Sequence, residues 1–274
     1  MDQLRWTGGA LLLALVVAVG VTLDAQRRGG GRFFAPIRTA TPESFDGRFN
    51  FCRIAYGASY DGDGGRWSVD YPRADINLSI RLSELTKTTI SRDSAGEPNH
   101  VVLQMNDPLL FRCPFVMMTE VGAAYFSPEH AERMREYLLK GGFLWADDFW
   151  GEYAWQAWAS EFAKVLPPHE YPWVDLPLDH PMFRSQFVIQ RMPQIPSINF
   201  WYGSGGGTSE RHDSQVPRAR AILDRHGNVM VLATHNTDIG DSWEQEGADP
   251  NYFYTFSVDG YALGINVVLY AMTH

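Results

Sequence analysis

The apolar positions change period several times along the chain, and each change predicts an element. Phe49 and Phe51 alternate with polar neighbours within residues 45–57, and Ile54 and Tyr56 continue after a one-residue slip, so this segment predicts a first strand. Residues 57–72, with the run ASYDGDGGRW, predict a loop. Ile76, Leu78, Ile80 and Leu82 alternate like a strand, whereas Leu78, Leu82 and Leu85 with Arg81 and Glu84 suit a helix. The helix is preferred because Pro72 precedes it and a crossover is needed next. Residues 101–103 predict a short strand, and residues 109–111 a helical turn after Asp107 and Pro108.

The middle of the chain is the most regular part. FVMMT (115–119) is a nearly unbroken apolar run, the mark of a strand buried on both faces. A helix follows, with Ser127 as N-cap, Pro128 at its first position, Ala131, Met134 and Leu138 on one face, and Lys140 with Gly141 at its end. Residues 143–146 predict another buried strand, ending at Asp147 and Asp148. A helix over 152–166 presents Trp155, Trp158 and Phe162 on one side. After a variable stretch (192–218) come two late strands, 219–223 and 229–233, around the turn 225–228, and then an apolar helix over 261–272. Strand, crossover helix and strand in alternation predict an α/β domain: a three-layer, doubly wound, mainly parallel sheet.

The N-terminus reads differently. Arg5 precedes an apolar run over 8–23, and the small residue Ala25 precedes Gln26, the pattern of a secretory signal peptide. The run is short of the ~20 apolar residues of a spanning helix. An uncleaved N-terminal anchor is the alternative. Both place the remainder outside the cytoplasmic membrane, periplasmic or anchored in the inner membrane and facing the periplasm. Residues 26–46, rich in Arg, Gly, Thr and Pro, predict a flexible linker, leaving 47–274 as the folded domain.

Composition narrows the class. With 45% apolar and 14% aromatic residues, the chain can bury a sizeable core, which excludes disorder and a disulfide-dense mini-scaffold. A net charge of -9 and the lack of a basic run argue against nucleic acid as a partner. Cys52 and Cys113 each lie in or beside an apolar run. Two buried, inert thiols are the plainer reading, and a disulfide is the alternative if their backbones are neighbours in an oxidising compartment.

The segments LLKGGFLWADDFWG (138–151), LPLDHPMF (176–183) and YALGINVVLYAMTH (261–274) together resemble the bacterial DUF4159 family, a domain of unknown function. The resemblance implies a class I glutamine amidotransferase-like, flavodoxin-like fold. Active members of that superfamily carry a Cys on a sharp strand-to-helix turn. Here the turn after Thr119 reads Glu120, Val121, Gly122, Ala123 and holds no Cys, so thiol-dependent amidotransferase or amidase activity is not expected.

What chemistry remains belongs at the carboxyl ends of the strands, where open α/β sheets bind ligands. Asp147, Asp148, His180 and Glu120 are the candidates for acid or base work. Asp147, Asp148, Trp150, Asp179, His180, His235, Asn236, Asp238 and Trp243 are the candidate ligand-binding set, with aromatic faces beside carboxylates suggesting a sugar cleft. His235, Asp238 and Asp148 are weak candidates for a metal, since no recognised ligand spacing is present. No cofactor is otherwise implied, and a divalent metal stays open. The GSGGG run (203–207) and the Asp61–Gly64 fragment read as a flexible loop and a solvated turn. The expected function is an exported, nucleophile-free module of the cell envelope that binds an unidentified ligand or protein partner, touching the membrane only through its N-terminal segment. The alternative is a hydrolase of a carbohydrate or envelope-derived substrate working through paired carboxylates or a metal.

Overall fold

A computed structural model describes residues 36–64 and 67–274. The expected signal segment, and the linker as far as residue 35, lie outside the described residues. Nine strands are described: β1 (Phe51–Ala55), β2 (Gly57–Ala58), β3 (His100–Gln104), β4 (Phe115–Thr119), β5 (Ala124–Tyr125), β6 (Phe143–Asp147), β7 (Trp173–Asp175), β8 (Arg218–Leu223) and β9 (Val229–His235). Seven form one sheet in the order β3-β1-β4-β6-β9-β8-β7, and β2 pairs with β5 in a small antiparallel ribbon. The pairs β3/β1, β1/β4, β4/β6 and β6/β9 are parallel, while β8 runs antiparallel to β9 and β7 antiparallel to β8. Taken in chain order, the five parallel strands stand 2-1-3-4-5, so the winding direction reverses between β1 and β4.

Side chains alternate cleanly across the sheet. Ile54, Met118, Leu144, Ala146 and Ala233 face the helices α2 (Pro128–Leu139) and α3 (Gly151–Phe162). Phe51, Phe115, Met117, Trp145 and Leu232 face α1 (Arg73–Leu85), α5 (Ile239–Glu244) and α7 (Val258–Thr273). Two short helices, α4 (Ile198–Gly203) and α6 (Pro250–Tyr252), complete the set. The chain is therefore α/β, with a mainly parallel seven-stranded sheet between two helical layers. No described helix is long and apolar enough to cross a membrane.

The ambiguous segment near Leu78 is a helix, because Leu78 and Leu82 fall on one buried stripe beside Ala74. Ser127 caps α2 by accepting from the His130 N–H, with Pro128 at the first position. Several elements had no expectation behind them, among them the β2/β5 ribbon, whose first strand falls in the expected loop 57–72, and α6. The strand β7 is only three residues long, α4 is capped by Ser197 inside the variable stretch, and α5 is capped by Asp238 inside a stretch read only as polar. The α3 helix ends at Phe162 rather than 166, although Val165 and Leu166 remain buried in the turn that follows.

Two expectations are corrected. Cys52 and Cys113 are joined in a disulfide, not left as free thiols, because β1 and the start of β4 lie side by side. The C-terminal part of the expected linker is not a loose tether. Val102 donates to the Arg38 carbonyl, Ala40 donates to the Val102 carbonyl, and Ala40 is buried, so this stretch runs along β3 as part of the domain.

Candidate functional site

Three of the parallel strands deliver a polar residue directly to the carboxyl edge of the sheet. Glu120 follows β4, Asp148 follows β6 and Asn236 follows β9, while Asp70 closes the long loop between β1 and α1. All four have positive φ (50°, 56°, 64° and 62° in that order), and they are the non-glycine residues among those described that do. Asp and Asn reach this region more readily than most residues, yet a cluster of such conformations marks a place where the backbone is held against its preference.

Strand alternation separates the two neighbours Asp147 and Asp148. Asp147 points to the face covered by α5, where its Oδ1 accepts from the Thr234 hydroxyl and its Oδ2 accepts from the N–H groups of Ile239 and Gly240 at 2.9 and 3.0 Å. Both oxygens are occupied, and the residue anchors the start of α5. Asp148 turns instead into the crevice, where Trp150 Nε1 donates to its Oδ1 at 3.1 Å. Asp238 caps α5 by accepting from the Asp241 N–H at 2.8 Å, and Asp241 accepts in turn from Ile198 N–H at 2.9 Å. Gly240 sits between two of these acids: a Cβ there would lie 2.5 Å from Asp70 Oδ2 and 3.5 Å from Asp238 Oδ1.

The electrostatics follow from burial. Asp70, Asp148, Asp238 and Asp241 are all under a tenth exposed. Desolvation pushes Asp70 well above the usual carboxylate range, and the charges of Asp241 and Asp148 push it further. Asp148 is raised by burial and then by Glu120, and Asp238 by burial and then by Asp148 and Asp70. Burial also lifts Asp147 and Asp241 to about 7, although backbone N–H groups pull both back. The buried guanidinium of Arg53 is committed to Asp75.

These shifts give stability a definite pH slope. A carboxyl raised in the folded state keeps a proton that the unfolded chain, titrating near 3.8, has released. Its contribution is full below that value and is lost as pH rises through about 7. His235, lowered by burial to about 4 from 6.5, works in the opposite direction between those two values. In chelator, the melting midpoint is therefore expected to fall from about pH 6.5 to about pH 8. A flat or rising midpoint there contradicts a buried, uncompensated acid cluster.

The remaining expected residues are not brought together. Asp179 and His180 lie at the opposite edge: the His180 ring packs on Phe183 and Tyr270, and the Tyr270 hydroxyl accepts from the N–H of Val229, the first residue of β9. His235 lies on the other face of the sheet, between Phe149 and Trp155, with Nε2 against the Gly151 carbonyl at 2.9 Å. It does not join Asp148 and Asp238 around an ion. Asn236 ties loops together, accepting from Gly151 N–H and donating to the Val216 carbonyl. Trp243 is fully buried, edge-on to Trp145, so it is core and not cleft wall. Glu120 holds the strand-to-helix turn, half-buried, with its carbonyl accepting from the Tyr56 hydroxyl at 2.8 Å.

Sequence reasoning missed Asp70 and Glu244. Glu244 stands three residues after Asp241 on α5, a spacing that shares a helix face. Asp70 carried no signal, being one acid in a loop. A cavity of about 440 Å³ lies at the far edge, lined by Gly142, Arg225, His226, Tyr270 and His274, and one of about 290 Å³ lies beside residues 191–195. Neither is lined by the four buried acids.

No curated protein matches the chain. The family model of a domain of unknown function (DUF4159) matches residues 50–272, which take in every strand of the sheet and each acid of the crevice, and the chain belongs to that family.

Proposed function

We propose that this is an exported, nucleophile-free domain of class I glutamine amidotransferase-like, flavodoxin-like type, and that it binds its ligand in the acidic crevice as a module of the cell envelope. The observation that carries the reading is the convergence of four buried carboxylates, Asp70, Asp148, Asp238 and Asp241, from three separate segments at the carboxyl edge of the sheet. A fold gains nothing by burying repelling acids, so their presence is the mark of something that uses them. The 2-1-3-4-5 strand order supports the flavodoxin-like assignment. The left-handed conformation of Glu120 immediately after β4 supports matching this turn to the sharp turn at which amidotransferases place their thiol. Both cysteines are tied to each other, which supports an oxidising compartment, and the signal-like residues 1–25 support export.

The hydrolase alternative draws on Asp148 and Glu120, since the Glu120 charge helps to raise the Asp148 carboxyl. It requires a substrate-sized opening onto them. With Asp148 under a tenth exposed, a small ligand fits the crevice better than a sugar chain.

The test is Asp148→Asn in chelator at about pH 8. The amide keeps the Oδ1 that accepts from Trp150 and removes the charge, so the variant is expected to gain about 0.5–2 kcal/mol, a sign that most substitutions do not show. A structural carboxylate would lose stability instead, and a lower melting midpoint in the variant sinks the reading.

A further inference from the structure

We propose that Asp70, Asp241 and Glu244 hold a single hard divalent cation of the Ca²⁺ or Mn²⁺ type. One carboxylate oxygen from each lies within 4.8 Å of the others. Two oxygens on opposite sides of a cation at about 2.4 Å stand about 4.8 Å apart, so this triangle is the size that one ion spans. The donors are all oxygens, which selects Ca²⁺, Mg²⁺ or Mn²⁺ over softer metals.

A second observation points to a ligand independently of the cluster. Asp70 Oδ2 is buried and has no hydrogen-bond partner, and it faces the space beside Gly240 that a Cβ would fill. A buried carboxylate oxygen left bare is costly, and such atoms are rare unless an ion or water completes them. The other oxygens are partly spoken for: Asp241 Oδ2 accepts from Ile198 N–H, Glu244 Oε2 accepts from Gln245, and Asp241 and Glu244 are close enough for a side-chain hydrogen bond that an ion between them would replace. Asp148 and Asp238 lie near enough to interact electrostatically with Asp70. Arg53, whose guanidinium is held by Asp75, does not fill it. Glu244 is the half-exposed member and so forms the side from which an ion enters.

This inference rests on the reading of the crevice as a binding centre, but the two fail separately. The experiment is titration of the chelator-stripped full chain with Mn²⁺ alone and with Ca²⁺ alone, followed by calorimetry and, for Mn²⁺, by loss of the free-ion electron paramagnetic signal. One equivalent is expected to bind. Asp70→Asn and Glu244→Gln are each expected to weaken binding at least tenfold, while Asp179→Asn, at the opposite edge, leaves it unchanged. Should Asp70→Asn fail to fold, the half-exposed Glu244→Gln carries the test. Absence of stoichiometric binding by the folded wild type, or binding indifferent to Glu244→Gln, overturns the proposal. If wild type binds neither ion while Asp148→Asn still melts higher in chelator, only the cation is lost. A lower melt for Asp148→Asn removes the crevice reading itself.

Discussion

Asp75→Asn is expected to cost about 3–5 kcal/mol of stability, read as a lower urea midpoint with little change in slope. Arg53 is fully buried on β1, and its Nε lies 3.1 Å from both Asp75 oxygens while Nη2 reaches Oδ1. Nη1 donates to the Trp67 and Val69 carbonyls, both at 3.2 Å, and to Thr119 Oγ1 at 3.0 Å. Burial alone would lower the pKa of this guanidinium, and the Asp75 carboxylate more than offsets it. An amide at position 75 keeps the shape and deletes the charge, leaving a cation without its counter-ion in a low-dielectric interior. The double variant Arg53→Met/Asp75→Leu removes both charges and is expected to lose less than Asp75→Asn alone. A loss under about 1 kcal/mol for the single variant would place Arg53 within reach of water, contrary to its burial. The pair also matters to the crevice, because Arg53 holds the carbonyls of the loop that presents Asp70.

The Cys52–Cys113 bond is expected to contribute about 4 kcal/mol, from the chain-entropy relation applied to a crosslink 61 residues apart. Its loop encloses α1 and β3, so breaking it frees the first crossover in the unfolded chain. Unlike Asp75→Asn, the double Cys→Ala variant should raise the urea slope, since an uncrosslinked unfolded chain exposes more surface. Both cysteines are buried on the face covered by α2 and α3, whereas Asp241 lies in the first turn of α5 on the other, so cation binding by the folded fraction should be unaffected. An unchanged midpoint under reductant, with both thiols shown to be free, would contradict the estimate.

Much of the fold was legible because the parallel strands are short, apolar and fenced by turn residues. FVMMT can be little else than a strand buried on both faces, and Ser127-Pro128 announces α2. The misses share a cause: β7 and α4 are too short to display a period, and their neighbours hold them in place. The disulfide was undecidable locally, since Cys52 and Cys113 become neighbours only when β1 and β4 pair.

The site divides along the same line. Periodicity identified Asp147 and Asp148 as the end of a buried strand, and the carboxyl edge as the place for chemistry. It was silent on which acid turns outward and which other loops arrive there. His180 and Asp148 looked like partners in the chain, but lie at opposite ends of the sheet. Asp70 looked like an ordinary loop acid, yet it is buried with one oxygen bare.

By itself, then, the sequence determined the longer strands and helices, the face each buries and the absence of a thiol at the turn after Thr119, because these depend on residues close along the chain. Only the tertiary structure decided that Asp70, Asp241 and Glu244 come together, with Asp148 and Asp238 near enough for the charges to be felt, while both Asp147 oxygens are taken by α5 and Thr234, and His235 lies on the other face. Burial and mutual charge arise from contacts between loops far apart in sequence, and no local period encodes them.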